Sequence, residues 1–167
     1  MKKILLILTL SLFIYAPFSS AFEVEDFNGS KVLLDEKMGQ GNWTLIMFWA
    51  HDCGVCRAEF PLFSDLHTRR DDIDVLGISI DGAENKHLAQ SFLDSSKPSF
   101  SSYLSSLTMV GLNYQAITEE AFRGTPTFLL FTPKGELIGN MPGKLSISAL
   151  EGFIERNSNH NLSLIHI

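Results

Sequence analysis

The chain has 167 residues, of which 45% are hydrophobic and two are cysteines. That is enough for one domain with a sizeable core, and too few cysteines for a disulfide scaffold. Its 19 acidic residues outnumber the 13 basic ones and give a formal net charge of −6. An acidic surface argues against nucleic acid as a partner.

The first 21 residues are typical of an export signal. Lys2 and Lys3 form a short positive region, residues 4–16 are apolar, and Ser19–Ala21 places small residues at a cleavage site. We therefore predict a signal peptide over residues 1–21. An uncleaved membrane anchor is the alternative, because the apolar stretch is near the lower limit for spanning a bilayer. Cleavage would remove two basic residues and no acidic one, so the formal net charge would change from −6 to −8.

Residues 22–156 are predicted to form one α/β domain with a mixed sheet covered on both faces, because helical and strand-like patterns alternate along them. The predicted elements, in chain order, are a hairpin over 22–36, a central strand over 44–50, a helix from 53 to about 67, a parallel strand over 75–80, a helix over 86–93, a helix over 113–122, a strand and hairpin over 127–141 and a helix from 148 to about 156.

Further expectations concern the connections between these elements. Asp81 and Glu84 are spaced as a capping box for the second helix, in which Leu88 and Phe92 are expected to form the apolar face. Ser148 and Glu151 have the same spacing at the start of the last helix. Residues 95–106 contain seven serines and are predicted to be a loop or irregular insert. Residues 157–167 are a C-terminal tail to which the sequence assigns no role.

The only two cysteines, Cys53 and Cys56, are spaced Cys-x-x-Cys where the central strand gives way to the first helix. A helix N-terminus stabilises a thiolate through unpaired backbone N–H groups and the helix dipole. The pair could instead form half of a zinc site, but there is no second Cys-x-x-Cys to complete it. We therefore predict redox chemistry, with no bound metal and no cofactor.

The residues around the cysteines resemble a known family. Trp49-Ala50 before the pair and Pro61 after it are similar to the active site of thioredoxin-fold oxidoreductases. The run from Cys56 through Glu59 to Pro61 resembles the TlpA/ResA-like branch of thiol–disulfide oxidoreductases. This resemblance implies a thioredoxin fold whose central mixed sheet has helices on both faces, with extra N-terminal strands and a mid-chain insert.

The resemblance also implies roles for individual residues. Cys53, Cys56 and Glu59 are expected to be catalytic, whereas Trp49, Thr125 and Pro126 are expected to bind substrate, with a cis bond before Pro126. Thioredoxin itself has a buried aspartate at the position of Met47, so Glu59 becomes the proton acceptor that the motif supplies. The alternative for Glu59 is an ordinary solvated helix residue.

Asp52 departs from the family, which usually has an aromatic residue directly before the first cysteine. A carboxylate at this position opposes the thiolate and removes a flat docking surface, so we expect a site at the reducing end of the family's range. His51 could offset Asp52 if it were protonated. The alternative is that His51 is merely exposed, which the sequence favours.

Together these features predict an exported, periplasmic thiol–disulfide oxidoreductase that reduces disulfides of other exported proteins. By resemblance, apocytochrome c is a candidate substrate, and a membrane thiol–disulfide donor would re-reduce the pair. Membrane contact of the chain itself is expected only if the N-terminal segment is retained. The alternatives are a disulfide oxidase or isomerase and a redox-inactive copper-binding module. A peroxidase is disfavoured because Ala50 replaces the threonine of the peroxidatic pattern.

Overall fold

The computed structural model of the protein describes residues 22–163, with side chains described through residue 158. The predicted signal segment, residues 1–21, lies outside the described residues. None of the helices in this range combines the length and the apolar composition needed to cross a bilayer.

The elements follow the predicted alternation of strands and helices, with one strand more than expected. They are β1 (Glu23–Glu25), β2 (Lys31–Leu33), a one-turn 3-10 helix (Leu34–Glu36), β3 (Trp43–Trp49), α1 (Gly54–Arg69), β4 (Ile73–Ser79), α2 (Lys86–Ser96), β5 (Ser101–Leu104), α3 (Leu107–Thr118), β6 (Thr127–Phe131), β7 (Leu137–Pro142) and α4 (Ile147–Ser163).

Seven strands form one mixed sheet in the order β2-β1-β5-β4-β3-β6-β7. β3, β4 and β5 run parallel, whereas β6 is antiparallel to β3 and β7 is antiparallel to β6. The N-terminal hairpin β1–β2 extends the sheet beyond β5. Together with helices on both faces, this is the thioredoxin fold with extra N-terminal strands that the sequence predicted.

The central strand β3 is buried along its whole length because both of its faces are covered. Leu45, Met47 and Trp49 point into one hydrophobic cluster, which includes residues of α1, α2 and α4. Ile46 and Phe48 point into the other cluster, which includes residues of α3 and of the N-terminal hairpin region. The period of two along the strand thus divides an apparently uniform apolar run between two cores.

Phe22 belongs to the second cluster although it precedes the first strand. Its side chain is 1% exposed, and its ring stacks on that of Phe48 with a centroid separation of 6.2 Å. Its carbonyl accepts a hydrogen bond of 3.0 Å from the Leu34 N–H. The ordered domain therefore includes the first residue after the predicted cleavage site.

The serine-rich segment is not the loop or irregular insert that the sequence predicted. Residues 101–104 form β5, which pairs parallel with β4 and antiparallel with β1. Phe100, Tyr103 and Leu104 supply its buried apolar side chains. The prediction was wrong because clusters of serine and proline usually indicate loops, and because the pairing partners of this segment lie far away in the sequence.

The capping box predicted before α2 does not form. Asn85 precedes this helix and makes no side-chain cap, while Asp81 turns away towards the loop after β3. Leu88 is 38% exposed, so the apolar face of α2 consists of Ala89 and Phe92 instead.

The last two helices are also shifted relative to their predicted bounds. α3 starts earlier than expected because the Ser106 hydroxyl accepts the Met109 N–H at 3.2 Å and caps it. α4 is capped by Ser146, not by the predicted Ser148, and extends beyond the expected end near residue 156 to Ser163.

Candidate active site

Cys53 and Cys56 are joined by a disulfide at the start of α1, with a Sγ–Sγ distance of 2.03 Å. Cys53 is the N-cap of the helix, and its Sγ accepts a hydrogen bond of 3.1 Å from the Cys56 N–H. Cys53 is half-buried, whereas Cys56 is fully buried one turn into the helix.

This placement gives the two sulfurs different reactivities. When the disulfide is reduced, the Cys53 sulfur lies at the positive end of a helix with a backbone N–H directed at it, which favours the thiolate. It can also be approached from solvent. Cys56 is shielded, so it can react with Cys53 more readily than with an incoming partner.

Trp49, expected to bind substrate, has no exposed surface. Its ring packs at 5.2 Å from the ring of Phe60 and 4.9 Å from that of Phe92, measured between centroids. Its indole N–H donates to the Ser102 hydroxyl at 3.1 Å. The prediction of direct substrate contact by this side chain is therefore wrong. Trp49 instead supports the cysteine loop from inside the core.

Gly77 of β4 makes room for that tryptophan. A Cβ added there would lie 2.1 Å from the Ser102 Oγ and 3.0 Å from the Trp49 Nε1. Any larger residue would push apart the two groups that form the hydrogen bond.

Glu59 is 4% exposed, which excludes a solvated helix face as its environment. One carboxylate oxygen accepts a hydrogen bond of 3.2 Å from the Leu145 N–H, and the other is buried without a partner among the described residues. Burial raises the pKa of Glu59, an effect that the Leu145 N–H and the Lys144 charge partly oppose. A buried carboxyl one turn beyond Cys56 is thus suited to hold a proton.

The Thr125–Pro126 bond is cis, as the resemblance implied. Pro126 directly precedes β6, whose first residue, Thr127, pairs with Phe48 near the end of β3. The loop therefore lies at the same end of the sheet as the cysteines. Pro126 is buried and its carbonyl accepts the Gly143 N–H at 2.8 Å, while Thr125 is half-buried. Substrate binding by these two residues stays a prediction.

A histidine–aspartate pair beside the cysteines was not predicted. The His51 Nδ1 lies 2.6 Å from one Asp81 oxygen, and the His51 backbone N–H donates to the other at 3.0 Å. The Ser79 hydroxyl also donates to that second oxygen at 2.6 Å. Both oxygens of Asp81 are therefore occupied by hydrogen bonds.

The expectation that His51 is merely exposed is wrong, because its side chain is 26% exposed and that of Asp81 only 5%. The signal that could have revealed the pair is the parallel pairing of β3 and β4. Trp49 pairs with Ser79, so the residues that follow the two strands emerge at the same edge of the sheet. Asp52, by contrast, is exposed.

Arg57 holds the same turn from the side of α1. Its guanidinium donates to the His51 carbonyl at 3.2 Å and lies over the Phe92 ring, 4.8 Å from the centroid. The turn that leads to Cys53 is thus fixed from both α1 and the end of β4.

The chain is similar to known proteins in both sequence and structure. Residues 17–140 match the model of the AhpC/TSA family. The thiol-disulfide oxidoreductase ResA of Oceanobacillus iheyensis is 25% identical over 134 residues, which cover 78% of this chain and 64% of that protein. The methylamine utilization protein MauD of Paracoccus denitrificans is 42% identical over 74 residues, which cover 44% of this chain and 35% of that protein.

Among solved structures, that of a candidate thiol-disulfide oxidoreductase from Bacteroides vulgatus, determined in solution, superposes with a TM-score of 0.65 at 25% identity. The superposition covers 89% of this chain and 94% of that one. The match to the two curated relatives is shorter, since the chain spans less than two thirds of the length of either.

Proposed function

Because this chain belongs to the AhpC/TSA family, we propose that it is a thiol–disulfide oxidoreductase of the kind represented by its ResA relatives. The observation that carries the proposal is the asymmetry of the cysteine pair. A half-buried N-cap Cys53 is linked to a fully buried Cys56 across one helical turn. Disulfide exchange needs such an accessible nucleophile and a protected second thiol.

In the proposed reaction the reduced protein transfers two electrons to a substrate disulfide. The Cys53 thiolate attacks one substrate sulfur, so a Cys53–substrate disulfide forms, the substrate disulfide breaks and the leaving sulfur takes up a proton. The Cys56 thiolate then attacks the Cys53 sulfur. The Cys53–Cys56 disulfide forms, and the second substrate sulfur leaves and takes up the second proton.

Glu59 is proposed as the acceptor of the proton that Cys56 must lose. Cys56 is fully buried, so water cannot readily take its proton, and Glu59 follows it by one helical turn. A carboxyl whose pKa is raised by burial, and one of whose oxygens has no hydrogen-bond partner within the described part of the chain, supports this role.

The reducing direction is supported by the exposed Asp52 beside Cys53, because a carboxylate disfavours the thiolate that a strong oxidant stabilises. The substrates would be exported proteins with disulfides, apocytochrome c among the candidates, and a membrane thiol–disulfide protein would re-reduce the pair. The proposed location is the periplasm, with residues 1–21 either removed as a signal peptide or retained as a membrane anchor. Thr125 and Pro126 would contact the substrate backbone just before the start of β6.

Trapping of mixed disulfides tests the assignment of the two cysteines. We expect Cys56→Ser to accumulate covalent complexes with disulfide-containing proteins, because the second attack is lost. Cys53→Ser should accumulate few or none, because its remaining thiol is buried. Non-reducing electrophoresis of both variants measures the difference, and equal trapping by the two would contradict the assignment.

The reduction potential of the wild-type pair, measured in glutathione or dithiothreitol buffers, tests the direction. A value near that of thioredoxin, about −270 mV, agrees with a reductase, whereas a value near that of DsbA, about −120 mV, would make the protein an oxidase. Titration of the reduced protein with Cu(I) in the same buffers distinguishes the reductase and the oxidase from a copper-binding module.

A further inference from the structure

The His51–Asp81 pair has no role in the reaction as proposed so far, although His51 is only two residues before the nucleophile Cys53. The Asp81 side chain is almost fully buried, and the His51 ring keeps about a quarter of its surface exposed. The three hydrogen bonds to Asp81 fix the carboxylate, and through it the ring.

The orientation of the ring assigns different roles to its two nitrogens. Nδ1 faces the Asp81 carboxylate, so in a neutral ring the hydrogen bond places the proton on Nδ1. Nε2 is then the nitrogen with a lone pair, able to accept a proton. Once it does so, the buried carboxylate stabilises the resulting imidazolium, as an aspartate does for the histidine of a catalytic triad.

The backbone keeps His51 close to the nucleophile. The Cys53 N–H donates to the Ala50 carbonyl at 3.2 Å, which closes a tight turn with His51 and Asp52 at its corner. Two residues of chain span at most about 7 Å between Cα atoms. His51 also lines an open groove of about 420 Å³ beside this turn.

The charges around the ring are mostly negative. Asp81 contacts it, Asp52 neighbours it in the turn, and Glu84 lines the same groove. Arg57 is the positive group nearby, and it is engaged with the His51 carbonyl and the Phe92 ring. The charged groups that face the ring are thus mainly carboxylates.

We propose that His51 accepts the proton of the Cys53 thiol, which gives an imidazolium–thiolate pair, and returns it to the first leaving sulfur of the substrate. Asp81 acts as a positioning residue that orients and stabilises the imidazolium. This inference rests on the proposed function. The two protons of the reaction then have separate carriers, His51 for Cys53 and Glu59 for Cys56.

The rate of alkylation of Cys53 by iodoacetamide, measured on the reduced full chain from pH 4.5 to 9.5, tests the proposal. Cys56 is buried, so the reaction reports on the Cys53 thiolate. The wild type should show two steps, one for each partner of the ion pair. His51→Asn can retain a donor to Asp81 but cannot ionise, so its profile should have one step at higher pH. At pH 6 it should react roughly tenfold more slowly, which corresponds to a thiol pKa higher by about one.

Two further variants give independent readings. Asp81→Asn removes the charge that stabilises the imidazolium, so the upper step, at which the imidazolium loses its proton, should move to lower pH. Asp52→Asn is the matched control in the same turn, because it removes a charge that opposes the thiolate. It should raise the rate near neutral pH and keep both steps.

A His51→Asn profile that superposes on the wild type, or an Asp81→Asn profile with both steps unmoved, would overturn the proposal and leave the pair a purely structural tie. Because alkylation requires no protein substrate, this failure is separate from that of the proposed function. The latter would be an absence of mixed disulfides in the Cys56→Ser variant.

Discussion

At the scale of single residues, Glu59 is the proposed proton acceptor in disulfide exchange, and its ionised form destabilises the fold because it is buried. Its burial disfavours the carboxylate and raises its pKa above the usual value of 4.5. The native state then binds the Glu59 proton more tightly than the unfolded chain does. This contribution to stability is fully present below the unfolded pKa and is lost as the pH rises through the folded pKa.

We therefore expect the stability of the wild type to fall, relative to that of Glu59→Gln, as the pH rises from about 4 towards neutrality. A rise of one in the pKa corresponds to about 1.4 kcal/mol of lost stability. Denaturant unfolding of the two disulfide-bonded proteins at several pH values measures this difference. The buried amide of Glu59→Gln changes the free energy of unfolding by the same amount at every pH. The pH dependence of the difference between the two proteins therefore reports on Glu59. Parallel curves would show that Glu59 keeps its ordinary pKa.

Sequence reasoning predicted much of the site at this scale because one short motif contains most of it. Cys53, Cys56 and Glu59 lie within seven consecutive residues at the start of a helix of regular pattern. His51 was visible but unexplained, because its partner Asp81 is 30 residues away. Only the parallel register of β3 with β4 brings the two together, and a single sequence does not state that register.

At the scale of elements, β5 shows how a polar segment becomes an internal strand. Two serines in and after the strand make specific contacts: Ser102 accepts a hydrogen bond from the Trp49 indole N–H, and Ser106 caps α3. The Ser105 N–H also donates to the Ser79 carbonyl at 2.8 Å. Composition alone indicates a loop for such a segment. The contacts that make it a strand all come from distant parts of the chain.

Gly77 lies where β4, β5 and the central strand meet, and Gly77→Ala should therefore be destabilising. Its Cβ would overlap the Ser102 hydroxyl and crowd the indole of Trp49. Overpacking of this kind costs about 1–3 kcal/mol. We expect a lower denaturation midpoint and a slower thiol exchange, because the support beneath the cysteine loop is displaced.

Gly111→Ala in α3 is the matched control for that substitution. The added Cβ would meet no atom within 4 Å, and alanine is favoured over glycine in a helix by about 1 kcal/mol. The control should be neutral or stabilising. If both variants had equal midpoints, the close packing described around Gly77 would be refuted.

At the scale of the whole molecule, ion pairs connect the end of α1 to α4. The Glu151 carboxylate accepts a hydrogen bond from the Arg69 guanidinium and lies 3.6 Å from that of Arg70. The bond from Arg69 is the main reason that the pKa of Glu151 is lowered. A lowered pKa contributes stability above the unfolded value of 4.5, and that contribution is lost as the pH falls through the folded pKa.

Glu151→Gln should thus cost about 0.5–1 kcal/mol at pH 7, the range of partly exposed ion pairs, and almost nothing in strong acid. The loss should shrink in high salt. Glu155→Gln is the comparison variant, since its carboxylate is 3.8 Å from Arg70 and its side chain 65% exposed, so its effect should be smaller. A Glu151→Gln penalty that is independent of pH would assign the effect to packing.

At this scale the overall architecture could be predicted from the sequence more accurately than its details. Alternating helix and strand patterns, together with the motif around the cysteines, were sufficient for the thioredoxin fold with helices on both faces. The place of the hairpin in the sheet could not be foreseen, because its neighbour β5 had not been recognised as a strand. The cap of α4 was misplaced by two residues because Ser146 and Ser148 are both suitable for that role.

The burial of Phe22 has a consequence for the order of events during maturation. A protease that cleaves between Ala21 and Phe22 must bind extended chain on both sides of that bond. In the folded domain the Phe22 ring is buried and the Phe22 carbonyl accepts a hydrogen bond from the Leu34 N–H. A protease therefore cannot bind the chain on the Phe22 side of the bond. If processing occurs at this bond, it must come before the N-terminal hairpin docks. The same few residues would then serve first as a recognition sequence and afterwards as part of the core.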